Sequence, residues 1–155
     1  MFPEVPGRTL RLILVLIGLQ LLVPATGNGQ LARRVRDINT SVSAAGSYPE
    51  QLVASGLYLY FTADDGIRVR DLWRTDGTAA GTVLVKDFLS GRDTGSNPQE
   101  MVDVNGTLFF TVGAANVYRE LWKTDGTAAG TVLVKDIAPR ANTSSNPAEL
   151  TPING

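Results

Sequence analysis

The sequence predicts an all-β protein assembled from repeated four-stranded antiparallel units, and three observations carry that expectation. Thirteen residues, TDGTAAGTVLVKD, occur twice without a difference, at positions 75–87 and 124–136. The likeness extends outward at a constant offset: Trp73 and Trp122 stand 49 residues apart, and Pro49, Pro98 and Pro147 fall in the same register. Within each period, short runs rich in β-branched and aromatic residues are separated by Asn-Gly or Asp-Gly pairs, whose tolerance of positive φ makes them strong hairpin signals.

Taken in order, the chain opens with Arg8 and Arg11, an apolar run at 12–23 (LILVLIGLQLLV), and Pro24-Ala25-Thr26-Gly27. A short basic stretch, about a dozen apolar residues and small residues at alternate positions read as a secretory signal peptide, residues 1–27, cleaved after Gly27. The run is shorter than the roughly 20 apolar residues that span a bilayer. Residues 28–48 read as a linker with one closing strand at 33–38, in which Asp37 matches Asp87 and Asp136. Residues 49–97 and 98–146 are two full repeats, and 147–155 begin a third with a strand at 149–153.

The second repeat shows the pattern of both. Strands are expected at 99–104 (QEMVDV), 107–112 (TLFFTV), 119–124 (RELWKT) and 131–137 (TVLVKDI). Asn105-Gly106 joins the first pair, and a tight turn opening at Asp125-Gly126 joins the last. Leu108 and Phe110 would point to one face and Phe109 to the other, because side chains alternate along a strand. Sheets that are apolar on both faces need cover on both, which stacking on neighbouring units supplies. A period of this length with four strands per unit indicates a β-propeller-type array. About two and a half units are present where about four to eight close a ring, the expectation for a fragment with an incomplete ring.

Glu120-Leu121-Trp122-Lys123-Thr124-Asp125-Gly126-Thr127 resembles the bacterial ELWxxDGT repeat family, as do the flanking Gly-Thr-x-Leu-Val-Lys-Asp-Ile and Asn-Gly-Thr-Leu-Phe-Phe segments. The first copy departs with Asp71 for the glutamate and Ser55-Gly56-Leu57 for Asn-Gly-Thr. The resemblance covers about Arg34 to the C-terminus and implies an exported, propeller-like repeat protein. It brings no established catalytic residue or ligand. The strand order also resembles kelch repeats, although the kelch double glycine is missing.

Composition removes several chemistries. The 14 basic and 15 acidic residues of the whole chain fall to 12 and 14 once Arg8, Arg11 and Glu4 are set aside, without blocks of either sign. That is not the basic footprint of a nucleic-acid binder. With no cysteine, an exported chain must hold without disulfides, and Cys-ligated zinc or a lipid-modified cysteine is excluded. With no histidine, Ser-His-Asp and Cys-His catalysis and imidazole metal ligation are excluded too.

The remaining candidates read as scaffold or as binding loops. Asp76-Gly77 and Asp125-Gly126 recur in register, as a turn needed in every unit does and a catalytic residue does not. Calcium ligation by these aspartates is the alternative, but the loop lacks the alternating acidic ligands and distal glutamate of a calcium loop. Trp73 and Trp122 are expected in the packing between units, and Lys86 and Lys135 on a solvated edge. Asp64-Asp65 is an adjacent carboxylate pair in turn-type sequence rather than a pair spaced across a glycosidic bond. Asn39, Asn105 and Asn142 head glycosylation sequons of the kind normally unused in bacteria, and Asn105 has its own reason as a turn residue.

Antiparallel order places the identical turns at one end of each unit. At the other end lie loops that share little, at 63–68, 112–117, 88–97 and 137–146. Loops on a rigid scaffold are where binding usually resides, so Asp64, Asp65, Arg68, Arg92, Asp93, Asn116, Arg140 and Asn142 are the candidate binding-face residues. The expected function is a secreted, periplasmic or cell-surface binding or structural module without catalytic activity or cofactor. Its expected partner is an extracellular protein or glycan, with no nucleic acid, no membrane span after signal cleavage, and self-association through unpaired strand edges. The alternative is the non-catalytic part of a larger secreted hydrolase whose active residues lie outside this chain. N-terminal sequencing of protein recovered from medium or periplasm should begin at Asn28. Intact Met1 in the membrane fraction would identify an anchored protein instead.

Overall fold

The computed structural model describes residues 32–41, 45–88, 95–114, 117–139 and 143–152. The expected signal segment lies outside them, and no helix among the described residues is long and apolar enough to cross a membrane. The protein is all-β. Strands β1 (Glu50–Ser55), β2 (Tyr58–Ala63), β3 (Asp71–Thr75) and β4 (Val83–Leu84) form one antiparallel sheet in that order. Strands β5 (Gln99–Val104), β6 (Thr107–Ala114), β7 (Val117–Thr124) and β8 (Val132–Leu133) form a second, and neither sheet closes on itself.

The two sheets share one register. Trp73 lies between Phe61 of β2 and Leu84 of β4, and Trp122 between Phe110 of β6 and Leu133 of β8. Asn105 and Gly106 both take positive φ (52° and 82°), the backbone of a two-residue hairpin. Each first strand also carries a bulge, after Glu50 and after Gln99, with Gln51 and Glu100 at φ 52° and 53°. Non-glycine residues adopt such angles at a local cost, so their repetition at equal register marks a device that bends the strand.

The strand bounds depart from expectation at the ends. The fourth strands are only two residues long. One further ladder bond forms in each sheet, Val85 N–H to Leu72 O and Val134 N–H to Leu121 O, both 2.9 Å. After Val85 the chain leaves its own sheet, and Phe88 packs edge-on against Trp122 with ring centroids 5.1 Å apart. Residues 33–38 and 149–152, expected as strands, form none; Arg36 and Ile38 instead meet Thr82 and the Phe61–Trp73 cluster, and Glu149 N–H donates to Glu100 Oε2 at 2.8 Å, while Ile153 lies outside the described residues. Glu149 nevertheless keeps the bulge conformation at φ 57°.

The core lies between the sheets. Tyr60, Leu72 and Val85 of the first sheet meet Leu108, Phe110 and Val112 of the second, all buried, with Val53, Tyr58, Phe88, Met101 and Trp122 packed around them. Leu108 and Phe110 face this core as the alternation requires, while Phe109 on the other face is half-buried. A second cluster sits on the far face of the first sheet, where Ile38 covers Phe61, Ala63 and Trp73. Full burial of one such side chain contributes about 1.5–3 kcal/mol, and an edge-to-face aromatic pair adds about 0.5–1.5.

Phe88 therefore joins two sheets that have no strand in common. Phe88→Ala should cost about 2–4 kcal/mol, near the lower end of large-to-small aromatic losses because the ring is only partly buried. Ile137→Ala, at the matched but exposed position, should change stability by less than about 0.5 kcal/mol in dilute solution. Urea unfolding midpoints measure both.

Candidate functional site

The identical turn explains nearly every residue it contains. Thr75 Oγ1 accepts from Gly77 N–H at 3.0 Å, and Asp76 Oδ1 accepts from Thr78 N–H and Oγ1 at 2.8 and 2.7 Å. Gly81 N–H donates to Thr78 Oγ1 (2.9 Å), Thr82 Oγ1 donates to Thr78 O (2.7 Å), and the hydroxyls of Thr75 and Thr82 meet at 2.7 Å. The same set recurs around Thr124, Asp125, Thr127 and Thr131. Gly77 and Gly126 take φ of 92° and 94°. Gly81 and Gly130 are glycines for a different reason: a Cβ there would collide with the carboxylates of Asp76 and Asp125. Asp76 and Asp125 spend their Oδ1 atoms closing their own loops.

Trp73 and Trp122 stand in the two packing clusters, and both indole N–H groups are buried without an acceptor among the described residues. Their aromatic area, not their polar edge, is what the sites use. Lys86, expected on a solvated edge, instead reaches across to the second sheet. Its ammonium donates to Thr131 O at 2.8 Å and lies 5.5 Å from the Trp122 ring. Lys135 is exposed.

At the opposite end, the loop between β2 and β3 is built on Asp64 and Asp65. Asp64 Oδ1 accepts from Gly66 N–H (2.7 Å), and Asp65 Oδ1 from Ile67 and Arg68 N–H (2.8 and 2.7 Å). Arg68 bridges Asp65 (2.9 Å) and Asp87 (3.1 Å), so it ties this loop to the segment that follows β4. Burial works against the Arg68 charge, but Asp87 and Asp65 more than offset it and raise its pKa. Asn39 and Ser41 press on the loop so closely that Gly66 could carry no Cβ. Asp64, Asp65 and Arg68 are thus brought together, whereas Arg92, Asp93, Asn116, Arg140 and Asn142 lie outside the described residues.

A scan against protein-family models, a search of curated proteins and a search of solved structures were made with the chain. None of the three finds a match. The site is therefore read from its own chemistry.

Two features of this end were not anticipated from sequence. Ile67 and Val69 stand half out in solvent on the β2–β3 loop, with Tyr48 exposed at the mouth of β1. Exposed apolar side chains thus accompany the charged candidates on this loop. Second, each sheet is latched to the segment that follows it. Asp71 Oδ1 accepts from Ser96 N–H (3.0 Å) and Oγ (2.7 Å), and Glu120 accepts from Ser145 N–H (2.9 Å) and Oγ. An acidic residue followed 25 positions later by serine, in both repeats, was the available signal. Matched arginines differ here: Arg70 pairs with Glu50 in solvent at 2.6 Å, while Arg119 turns inward to Thr111 Oγ1 (2.8 Å) and Gly113 O (3.3 Å). Burial lowers the Arg119 pKa.

The carboxylates divide by sign. The hydroxyl and N–H of Thr78 hold Asp76 below the ordinary value of 3.8, and the N–H and hydroxyl of Thr127 do the same for Asp125. Their contribution is fully present above about pH 4 and is lost as pH falls through the lowered folded values. Burial raises the pKa of Asp71 despite the Ser96 bonds, and its Oδ2 has no hydrogen-bond partner among the described residues. A raised value acts oppositely, contributing most at low pH and losing that contribution as pH rises through the folded value. Asparagine keeps the Oδ1 acceptor and removes the charge. The double variant Asp76→Asn, Asp125→Asn should therefore flatten the acid-side fall of the thermal midpoint, and Asp71→Asn should hold or raise the midpoint at neutral pH. Thermal denaturation from acid to neutral pH checks both signs.

Proposed function

We propose that this chain is an exported, non-catalytic repeat protein of β-propeller type, akin to ELWxxDGT repeats, that serves as a binding or structural module at the bacterial cell envelope or outside the cell. The supporting observation is the asymmetry between the two ends of its sheets. At one end two identical turns hold the Oδ1 atoms of Asp76 and Asp125 in internal hydrogen bonds. At the other, loops of unlike sequence carry Arg68, Ile67 and Val69 on a framework held by latches and ion pairs. A mixed charged and apolar surface on a rigid base suits an extracellular protein or glycan.

Retention on isolated envelope fractions and on a glycan array tests this reading. The paired change Ile67→Ser, Val69→Ser should lower retention about tenfold or more, as loss of two apolar contacts would. Leu57→Ser, at the exposed hairpin tip of the opposite end, should leave it unchanged. Equal loss from Leu57→Ser would remove the assignment of this face. Sugar release that depends on Asp64 or Asp65 would replace the module with a hydrolase.

A further inference from the structure

Three segments of the chain carry nearly the same tetrapeptide: Val35-Arg36-Asp37-Ile38, Val85-Lys86-Asp87-Phe88 and Val134-Lys135-Asp136-Ile137. The first two dock alike. Arg36 Nη1 donates to Thr82 O at 2.5 Å while Ile38 packs on Trp73 and Phe61. Lys86 Nζ donates to Thr131 O at 2.8 Å while Phe88 packs on Trp122 and Phe110. Thr82 and Thr131 are the same position of the identical turn, so a cation, an apolar side chain and their two receptors form one interface seen twice.

The third segment has no such receptor among the described residues. Ile137 is 55 % exposed, and Val134 is 42 % exposed where Val85 is 3 %. Phe109 and Leu121 behind them are half-buried, whereas their counterparts Tyr60 and Leu72 of the first sheet are fully buried. The outer face of the second sheet thus carries the donor segment of a docking contact that is seen twice within the chain.

We propose that this face binds a second copy of the chain, with Val134-Lys135-Asp136-Ile137 taking over the Trp73 receptor from that copy's own Val35-Arg36-Asp37-Ile38. The two tetrapeptides differ only at Lys135 against Arg36, which keeps both the charge and the donor. Residues 32–40 form no strand, so the resident segment has no ladder to lose. The incoming segment brings a whole sheet face, with Phe109 and Leu121 joining the contact. Donor and receptor lie on opposite faces of the protein, so the contact is head-to-tail and runs through sheet faces rather than strand edges. This goes beyond the binding-module reading and does not depend on the ligand of the loops.

Sedimentation velocity of the purified chain across a wide concentration range tests it. The parent should associate reversibly, and Ile137→Asp, at an exposed site that leaves the fold intact, should weaken association about tenfold or more. Ile38→Ala should strengthen association by loosening the resident segment, and adding Ile137→Asp to it should abolish that gain. A parent that stays monomeric throughout, association indifferent to Ile137→Asp, or a gain from Ile38→Ala that survives the second change would each overturn the proposal.

Discussion

A four-stranded sheet that is apolar on both faces cannot stand in water by itself, and the rest of this structure follows from that constraint. Tyr60, Leu72 and Val85 look one way from the first sheet, and Phe61, Ala63 and Trp73 look the other. The first set is covered by the second sheet, and the second set by Ile38 and its neighbours. Each cover works by the same means, an apolar side chain laid on a tryptophan and a cation hydrogen-bonded to a threonine carbonyl. Beyond β4 the chain is committed to the neighbouring sheet, where Lys86 and Phe88 dock.

Repetition makes this economical in chain length. Every unit must offer a tryptophan to the segment before it and a docking segment to the unit after it, so both halves recur in every copy. The turn between the third and fourth strands carries the carbonyl that receives the cation. Its internal network therefore positions a docking partner as well as reversing the chain. That dual duty gives a physical reason for thirteen residues to be identical when the loops at the opposite end are not.

Freedom at that opposite end is bounded by the latches. Asp71 and Glu120 hold the segments around Ser96 and Ser145 with buried or partly buried hydrogen bonds, and an aspartate and a glutamate do the same work in the two copies. Backbone bonds from Asn97 to Arg70 and from Asn146 to Arg119 run alongside. What lies between the latches can differ, as Arg70 and Arg119 do, without disturbing the sheets beneath.

By itself the sequence determined the all-β class, the four strands of each unit and the turns. Strand alternation and the φ tolerance of Asn105, Gly106, Gly77 and Gly126 are local properties, legible in a few neighbouring residues. The bounds of β5 were likewise readable. Tertiary structure alone decided the length of β4 and β8, the absence of strands at 33–38 and 149–152, the reach of Lys86 to Thr131, and the pairing of Asp71 with Ser96. Each of these depends on which distant segment lies alongside. A strand needs a partner for its ladder, and a lysine next to a valine reads as edge or as bridge according to what stands opposite. The candidate site divided in the same way. Asp64, Asp65 and Arg68 were legible as one charged loop, while the union of Arg68 with Asp87, and the exposure of Ile67 and Val69 beside them, followed from how that loop lies against Asn39 and the segment after β4.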